Sequence, residues 1–366
     1  MSSSLRVSVV IPAYWSHATL APCLQALRRQ TRLPDEIVVV NSSPESETAA
    51  LIRGAFPEVI FEQNPVRLLP HAARNRGVEL ATGDVLVFTD PDCEADANWL
   101  AAMLAAVAAG HECLVGAMDV KRDSWRQWGV HLCKFHWLLP GLPAGVRVHA
   151  STGNACYTRS LWQRIGPFPG GVFCGDGVLA WRAAQAGHVP RFVPEAVVKH
   201  HHDLSLAGLC LQRFRRGQEY GRVRMELDAR GAGELHLPHT IAGGYGEAER
   251  EGASAASGCG GEGAGPEVPE GGSERGGGGG PKGGANPLRV PMMSVRASRL
   301  SLLFSPAALP WVMGRAGCDA LRAGWIARFL ATAPVQVLGH ALWALGEFSA
   351  ALRPTRAQGR QPGNLP

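Results

Sequence analysis

The chain has 366 residues, 46% of them hydrophobic, and is therefore long enough to bury a substantial core and to form more than one unit. Its 9 cysteines include no Cys-x-x-Cys pair, which argues against a zinc site or a disulfide framework and favours reduced thiols in a cytoplasm. The net charge of +5 is modest and accompanies no nucleic-acid-binding motif, so no nucleic-acid partner is expected.

The first part of the chain alternates predicted strands with predicted helices. The N-terminus leads straight into a β-branched run that stops at Pro12, without the charged and apolar regions of a secretory signal peptide. Strands are predicted at 7–11, 37–40, 59–61, 85–88 and 113–116, with helices near 20–27, 49–52, 70–81 and 99–107. Such alternation indicates a right-handed, mostly parallel sheet with helices on its faces.

The strand at 85–88 is followed directly by Asp90-Pro91-Asp92. Four apolar residues between turn residues suit a strand that is buried on both faces. A carboxylate pair at its end would lie at the carboxyl edge of the sheet, where α/β folds bind ligands. We therefore expect this edge to hold a metal ion and the diphosphate of a nucleotide, with a solvated turn as the alternative. Asp96 is predicted to cap the next helix.

The second part of the chain is less regular. Residues 121–148 carry irregularly spaced aromatic side chains, which fit either a helix and loop packed on the sheet or a wall of an acceptor pocket. A strand at 152–157, helices at 159–165 and from Asp176, and a long basic helix at 204–227 are predicted to follow. Between them, His200-His201-His202 ends an extended segment in which His200 and His202 share a side. Metal ligation and a surface histidine run both fit this pattern.

The end of the chain has a different composition. Residues 243–287 hold 18 of the 45 glycines and are predicted to be a flexible linker. From Leu288 onward nine arginines stand against two acidic residues, with Trp and Leu interleaved, which favours an anionic membrane surface as partner. Residues 329–346 are 18 uncharged residues, about the threshold for a spanning helix. An interfacial helix pair, a single span and a soluble helical subdomain all remain open.

Five segments between residue 5 and about residue 205 together resemble a family 2 glycosyltransferase of the GT-A fold. They are VSVVIPAY, DEIVVVNSS, ARNRGVELATGDVLVFTDPDCEAD, TGNACYTRSLWQRIGPF and GDGVLAWRAAQAGH. The resemblance implies an α/β fold with a GT-A-type, Rossmann-like, mostly parallel sheet flanked by helices, here followed by an apolar helical tail. The expected organisation is a GT-A domain at 1–230, a Gly-rich linker at 231–287, an apolar basic membrane-associated helical segment at 288–352 and a disordered tail at 353–366.

The resemblance implies an inverting glycosyltransferase that moves a sugar from a nucleotide-sugar donor, a UDP-sugar, to a hydroxyl acceptor. The expected acceptor is a lipid-linked or cell-envelope glycan at the cytoplasmic face of the membrane. In this family the paired Asp binds a divalent metal, Mg²⁺ or Mn²⁺, which stabilises the departing diphosphate. Asp92 is the expected ligand, with Asp90 reaching the ribose or the ion and His200 completing the shell.

The resemblance also assigns nucleotide contacts. Tyr14 is expected to pack on the base, and backbone groups of Pro12 and Ala13 are expected to meet its edge. Asn41 stands where the family usually has an acidic residue and could accept a hydrogen bond from uracil. Arg74 is expected to contact the nucleotide, with a surface charge on a helix as the alternative.

The family's catalytic base begins the helix after the Gly-rich loop, commonly in a Glu-Asp pair. Here the pair is Gly175-Asp176, so Asp176 is the expected base, with a simple helix N-cap as its rival role. Gly153 and Asn154 are expected, by position, near the donor sugar or acceptor. The basic segment 212–217 is a weaker candidate for a phosphate or lipid-phosphate contact.

Two other functions fit parts of the sequence. A sugar nucleotidyltransferase would have a Gly-rich signature with a basic residue after the first strand, and residues 11–15 offer none. A catalytically degenerate, membrane-tethered scaffold is kept open by Asn41-Ser42 and Gly175, where the family has acidic residues.

Overall fold

The structure, a computed structural model, describes residues 5–169, 171, 174–202, 204–229 and 298–352. All of these residues belong to one compact unit, which unites the N-terminal and C-terminal parts of the chain. A second unit, residues 240–292, lies outside the described residues, as do the predicted linker at 231–287 and the predicted tail at 353–366.

Nine strands form one sheet in the order β3-β2-β1-β4-β8-β6-β9-β5, with β7 paired to β9. The strands are β1 (Val7–Ala13), β2 (Glu36–Asn41), β3 (Ile60–Gln63), β4 (Val85–Thr89), β5 (Cys93–Ala95), β6 (Cys113–Val120), β7 (Gly145–Val146), β8 (Asn154–Thr158) and β9 (Arg191–His200). The central strands β1 and β4 are buried along their whole length, as apolar runs of a parallel sheet require.

The sheet is mixed, although most strands point the same way. Pairs β1–β2, β2–β3, β1–β4 and β6–β9 are parallel, whereas β8 runs antiparallel to both β4 and β6. Strands β5 and β7 also run antiparallel to β9. The carboxyl ends of β1, β2, β4, β6 and β9 therefore meet at one edge, and the predicted α/β class is confirmed.

Helices cover the sheet and extend from it at the C-terminal side. They are α1 (His17–Arg28), α2 (Glu47–Ala55), α3 (Pro70–Leu80), α4 (Trp99–Ala108), α5 (Trp125–Phe135), α6 (Arg159–Ile165), α7 (Gly175–Gln185), α8 (Leu206–Ala229), α9 (Arg299–Leu303), α10 (Leu309–Arg322) and α11 (Ile326–Leu352). Short 3-10 turns at His136–Leu138 and Ser305–Ala308 join some of them.

The segment after Asp92 differs from the prediction. The short strand β5 occupies Cys93–Ala95, so α4 begins later and Asn98, not Asp96, is its N-cap residue. Asp96 instead accepts a hydrogen bond from Lys199 Nζ at 2.7 Å. The cap prediction was wrong because β5 pairs with β9 and draws this segment to the far edge of the sheet.

Helix α11 packs against α5 and α8 rather than standing apart from the sheet domain. Glycines allow the close approach: a Cβ added at Gly217 would lie 2.2 Å from the Trp343 carbonyl oxygen, and one at Gly346 would lie 2.3 Å from the Phe214 oxygen. By length and composition α11 could cross a membrane, and 44% of its most apolar window is buried inside the protein. The last helix is thus an integral part of the unit that carries the site.

Candidate active site

Asp90, Asp92, Cys93 and His200 form a cluster at the carboxyl edge of the sheet. Asp90 follows β4 directly, and the pairing of β5 with β9 places Cys93 opposite His200. One potential ligand atom from each of the four residues lies within 4.8 Å of the others. The structure therefore brings together all three predicted metal ligands.

The orientation of His200 suits metal ligation. Its Nδ1 lies 3.1 Å from the carbonyl oxygen of His201, and a carbonyl oxygen only accepts, so the proton is on Nδ1. The Nε2 lone pair is then free on the side of Asp92, whose Oδ2 is 3.7 Å away. A backbone hydrogen bond that fixes the tautomer of a histidine is a common support of metal ligands.

The charges of the cluster also fit a divalent cation. Burial and the neighbouring charge of Asp90 raise the pKa of Asp92 to about 7. The two carboxylates repel each other, and the positive charge around them does not offset this repulsion. Burial and the positive charge of Lys134 lower the pKa of His200 to about 3, so its imidazole is neutral. Two carboxylates and a neutral imidazole match Mg²⁺ or Mn²⁺. Burial raises the pKa of the Cys93 thiol, which stays protonated and is the poorest ligand of the four.

Arg74 connects the two ends of the site. It is buried on α3, and its Nη2 donates to Asp90 Oδ1. Its charge also acts on Asp176, as does the charge of Asp90. The alternative of a free surface charge on the helix is therefore excluded, and Arg74 interacts with the predicted metal ligand Asp90 and electrostatically with the predicted base.

Asp176 is the second residue of α7 and not its N-cap, which is Cys174. Its Oδ1 accepts a hydrogen bond from the Gly177 N–H at 2.8 Å. Burial raises the pKa of Asp176, and the Gly177 N–H, Arg74 and Arg216 oppose the rise. A carboxylate made more basic by burial, yet held by fixed positive groups, is suited to accept a proton.

Gly175 has a steric reason to lack a side chain. A Cβ added there would lie 2.7 Å from Cδ2 of His71 and 3.1 Å from the Pro169 carbonyl oxygen. His71 is buried on α3, packs on Phe168 at 4.8 Å between ring centroids, and has its Nδ1 3.4 Å from Arg74 Nη1. The imidazole thus occupies the space next to Asp176 into which an acidic side chain would project.

Gly153 and Asn154 differ in what they offer the site. Gly153 lies beside Asp90, since an added Cβ would be 3.2 Å from Asp90 Oδ2. Asn154 is fully buried: its Oδ1 accepts from Trp99 Nε1 at 2.8 Å, and its Nδ2 donates to the carbonyls of Ala117 and Ala196. Because these bonds tie β8 to its neighbours, the side chain of Asn154 is committed to the sheet.

Pro12, Ala13 and Tyr14, the predicted nucleotide contacts, lie at the carboxyl end of β1 and just after it. Pro12 and Ala13 end β1 in the middle of the sheet, and the Ala13 carbonyl already accepts from the Ser42 N–H at 3.1 Å. Tyr14 follows them, half-buried, with the guanidinium of Arg67 4.4 Å from its ring centroid. One ring face of Tyr14 is therefore already covered by a cation.

Asn41 is buried at the end of β2 and holds that end together. Its Nδ2 donates to Gln63 Oε1 at 2.9 Å, and its Oδ1 accepts from the Ser43 hydroxyl at 2.8 Å. Glu45 Oε1 also lies 2.8 Å from the Ser43 hydroxyl and competes with Asn41 for its single proton, while the Ser43 N–H donates to Asn41 Oδ1 at 3.4 Å. With no exposed surface and both ends of the amide engaged, the side chain serves the loop after β2 rather than a bound base.

Two positive residues from different helices, which the sequence did not single out as a set, interact electrostatically with the carboxylates. Lys134 lies on α5 beside Asp92, and burial and the charge of Arg216 lower the pKa of Lys134 to about 8. Arg216 lies on α8, within the segment 212–217, and interacts with Asp176 and Asp90. A cationic wall at a carboxylate and metal cluster can neutralise a bound diphosphate.

Two further histidines, His202 and His131, pack next to His200. The His202 ring stacks on that of His200 with centroids 4.3 Å apart, and its Nε2 lies 3.0 Å from Nδ1 of His131. His131 Nε2 donates to the Met118 carbonyl at 3.0 Å. The alternation of extended residues had indicated that His200 and His202 share a side, but the partner on α5 could not be seen in the sequence.

The sequence of the chain resembles those of known proteins. Residues 8–165 match the sequence model of "Glycosyl transferase family 2". The chain is 27% identical over 236 residues to glycosyltransferase AglE of Haloferax volcanii, covering 62% of this chain and 76% of AglE. It is 28% identical over 223 residues to the succinoglycan biosynthesis protein ExoM of Rhizobium meliloti, covering 56% of this chain and 69% of ExoM.

The fold has a counterpart among solved structures. A mannosyltransferase from Pyrobaculum calidifontis, solved with GDP-Man and Mn²⁺, superposes with a TM-score of 0.54 and 20% identity, over 96% of this chain and 88% of that one. The family match spans β1 to α6, and thus includes Asp90 and Asp92, while His200 and Asp176 come from elements beyond it. The resemblance to a family 2 glycosyltransferase is thus confirmed over residues 8–165, and the matched relatives support a glycosyltransferase enzyme.

Proposed function

We propose that the chain transfers a sugar from a UDP-sugar to a hydroxyl acceptor, with inversion at the anomeric carbon. The observation that carries this proposal is the joining of Asp90, Asp92 and His200 to Asp176 through Arg74 in one site. A metal-binding cluster and a basic carboxylate that both interact with one arginine are the parts that such a transfer needs.

Asp92, Asp90 and His200 would hold the divalent cation, Mg²⁺ or Mn²⁺. When bound, such an ion stabilises the negative charge of a departing diphosphate. The Mn²⁺ in the related mannosyltransferase structure supports this assignment. Lys134 and Arg216 would add positive charge near the diphosphate, and the donor sugar would bind near Gly153, which lies beside Asp90.

In the proposed step the acceptor oxygen bonds to the anomeric carbon while the bond from that carbon to the diphosphate oxygen breaks. The hydroxyl proton passes to the carboxylate of Asp176, and the electron pair of the broken bond leaves with the nucleoside diphosphate. Because one displacement occurs, the configuration at the anomeric carbon inverts. The raised pKa of Asp176, which has burial as its main cause, makes the carboxylate a better proton acceptor once it is ionised.

The nucleotide base is proposed to pack near Tyr14 and the backbone of Pro12 and Ala13. The engaged amide of Asn41 leaves recognition of the base to other groups, and Arg67 lies 4.4 Å from the Tyr14 ring centroid. The proposal that the base is uracil therefore stands on the family resemblance, and a direct test must include other nucleotides.

The acceptor is proposed to be a lipid-linked or cell-envelope glycan at the cytoplasmic face of the membrane. Two relatives support a glycan acceptor by name, the succinoglycan biosynthesis protein ExoM and an O-antigen chain rhamnosyltransferase of Salmonella typhimurium. The arginine-rich C-terminal segment supports a location at an anionic surface.

A donor screen followed by product analysis tests the proposal. Melting temperature is measured with Mn²⁺ and a panel of UDP-, GDP- and other nucleotide sugars, and the donor that raises it most is used for transfer. With an α-linked donor, proton NMR should show a β-linked product. The Asp176→Asn variant should lose at least about a hundredfold in kcat, whereas Asp123→Asn, a surface control, should not change. Retention of configuration, or full turnover by Asp176→Asn, would contradict the proposal.

A further inference from the structure

Helix α11 has the reverse of the usual pattern for a helix on a water-soluble protein. Four of its polar side chains face the protein and are buried, namely Thr332, Gln336, His340 and Glu347, while Arg328 near its start is partly exposed and pairs with Asp123. Its exposed large side chains are all apolar, namely Leu330 (65%), Val337 (42%), Leu338 (42%), Leu345 (45%) and Leu352 (57%). Successive outward positions are 7, 1, 7 and 7 residues apart, so they lie on one side of the helix and form one stripe along it.

The inward face of α11 is held by specific polar contacts. Arg224 Nη1 pairs with Glu347 Oε1 at 2.9 Å, and both side chains are largely buried. Arg213 Nε donates to the Gly339 carbonyl at 3.3 Å, with its guanidinium 4.4 Å from the Trp343 ring centroid. A helix that crossed a bilayer alone would expose Glu347 to hydrocarbon or carry these arginines with it, at high cost. Because these contacts hold the inward face of α11 against the protein, only its outward apolar stripe is available to contact lipid.

Cationic and aromatic side chains flank this stripe on the neighbouring helix α10. Trp311, Arg315 and Arg322 are exposed, and the Arg315 guanidinium lies 5.8 Å from the Trp311 ring centroid. Both acidic residues between 298 and 352 are turned inward, Glu347 as described and Asp319 towards His136 Nδ1 at 2.9 Å. Within that described segment, arginines and apolar side chains face outward without a carboxylate, which is complementary to an anionic surface.

We infer that α11 lies along an anionic lipid bilayer, with its apolar stripe sunk into the lipid and the arginines of α10 at the headgroups, and does not cross it. From Leu330 to Leu352 the stripe is about 33 Å long, at about 1.5 Å per residue. The inference goes beyond the transfer reaction and is independent of it. It also places α5 and α8, which carry Lys134 and Arg216, directly behind α11, about one helix diameter of roughly 10 Å from the bilayer.

Vesicle sedimentation of the full chain tests this surface. The chain is mixed with vesicles of phosphatidylcholine alone or of phosphatidylcholine with phosphatidylglycerol. The triple variant Leu330→Ser, Leu338→Ser, Leu345→Ser should lower the partition coefficient on the mixed vesicles at least about tenfold. The double variant Arg315→Gln, Arg322→Gln should lower it about fivefold or more on the mixed vesicles and have little effect on phosphatidylcholine alone.

A matched control carries three substitutions at exposed apolar side chains elsewhere, Leu33→Ser, Val66→Ser and Val189→Ser, which are 54%, 67% and 44% exposed. It should bind vesicles like the native chain, and equal melting temperatures would show that all variants fold. Failure of the native chain to bind the mixed vesicles, or native binding by the triple variant, would overturn the inference. A lipid-independent dimer that the triple variant abolishes, without vesicle binding, would assign the stripe to a second copy and would also overturn it.

Depth measurements distinguish lying from crossing. Cysteines introduced singly at 330, 338 and 352, in a chain with Cys259→Ser and Cys318→Ser, are labelled with a fluorophore and quenched by lipids carrying nitroxides at different acyl positions. Similar shallow depths at all three positions are expected. A clear depth maximum at 338 with shallow ends would show a crossing helix and refute the inference. Neither result depends on donor or acceptor turnover, so failure here and failure of the proposed reaction can be told apart.

Discussion

Replacing Gly175 with alanine should damage the site through a single steric contact. The added Cβ would lie 2.7 Å from His71 Cδ2 and 3.0 Å from its Cγ, whereas carbon atoms pack well at about 3.5–4.0 Å. Either His71 or the start of α7 must therefore move by about 1 Å. His71 is backed by Phe168 and lies next to Arg74, so it has little room to yield.

The expected loss follows from what moves. Overpacking of this size costs about 1–3 kcal/mol of the free energy of unfolding. Because Asp176 is the next residue and Arg74 contacts both His71 and Asp90, a shift of about 1 Å should also lower kcat/KM by about ten- to a hundredfold. Gly54→Ala is the matched control, since an added Cβ there meets nothing within 4 Å. It should leave kcat/KM unchanged and leave stability unchanged or slightly higher.

A double-mutant cycle isolates the contact. In a His71→Ala background the imidazole is gone, so Gly175→Ala should add little further loss in kcat/KM or in melting temperature. The assays are steady-state transfer with Mn²⁺ and thermal unfolding of the four chains. If Gly175→Ala were as active and stable as the native chain, or lost the same amount with and without His71, the steric argument would be refuted.

Three other changes test separate parts of the structure. Glu347→Ala leaves the buried Arg224 without its partner and should cost about 3–5 kcal/mol in the free energy of unfolding, measured by urea titration against the exposed Glu195→Ala. Despite burial, hydrogen bonds from Ser8 and Thr82 lower the pKa of Glu36 to about 2. The stability that Glu36 contributes should therefore be present above about pH 4.5 and lost as the pH falls to about 2. The melting temperature of Glu36→Gln should fall less than that of the native chain over this range, and parallel curves of melting temperature against pH would contradict this. Lys134→Met should weaken binding of Mn²⁺ and nucleoside diphosphate about tenfold by calorimetry, and unchanged affinity would remove Lys134 from the cationic wall.

Much of the sheet edge could be predicted because its signals are local. The apolar run of β4 and the Asp90-Pro91-Asp92 that follows it lie within eight residues, and the helix at Arg159–Ile165 was predicted with its observed bounds. By contrast β5 is three residues long and has weak strand preference, and it exists through its pairing with β9 about a hundred residues later. Its absence from the prediction is the reason that Asp96 was taken for a helix cap.

The supporting residues of the site could not be predicted because they meet only through tertiary packing. Lys134 and His71 come from two different helices, and in sequence each looks like an ordinary helical residue. Arg216 was predicted only as part of the basic segment 212–217, without its carboxylate partners. From its position in the sequence, Asn41 was expected to contact the base. Only the structure shows that its amide hydrogen-bonds to Gln63 and Ser43.

The C-terminal helix illustrates a further reason. The uncharged residues 329–346 suggested a span or an interfacial helix, and composition alone does not reveal which face of a helix is covered. Glycines at positions 217 and 346 let α8 and α11 approach closely, and this packing turns Gln336 and Glu347 inward. The three-dimensional structure was needed to show that α11 has polar contacts on one side and an apolar stripe on the other.

Sugar transfer at saturating donor, measured with and without Mn²⁺ for the native chain and for Asp92→Ala, tests the central claim most directly. The native chain should transfer sugar only with a divalent cation present, and Asp92→Ala should lose at least about a thousandfold in kcat/KM while its melting temperature without metal stays at or above the native value. Transfer by Asp92→Ala at the native rate, or native transfer that is unaffected by a chelator, would contradict the account.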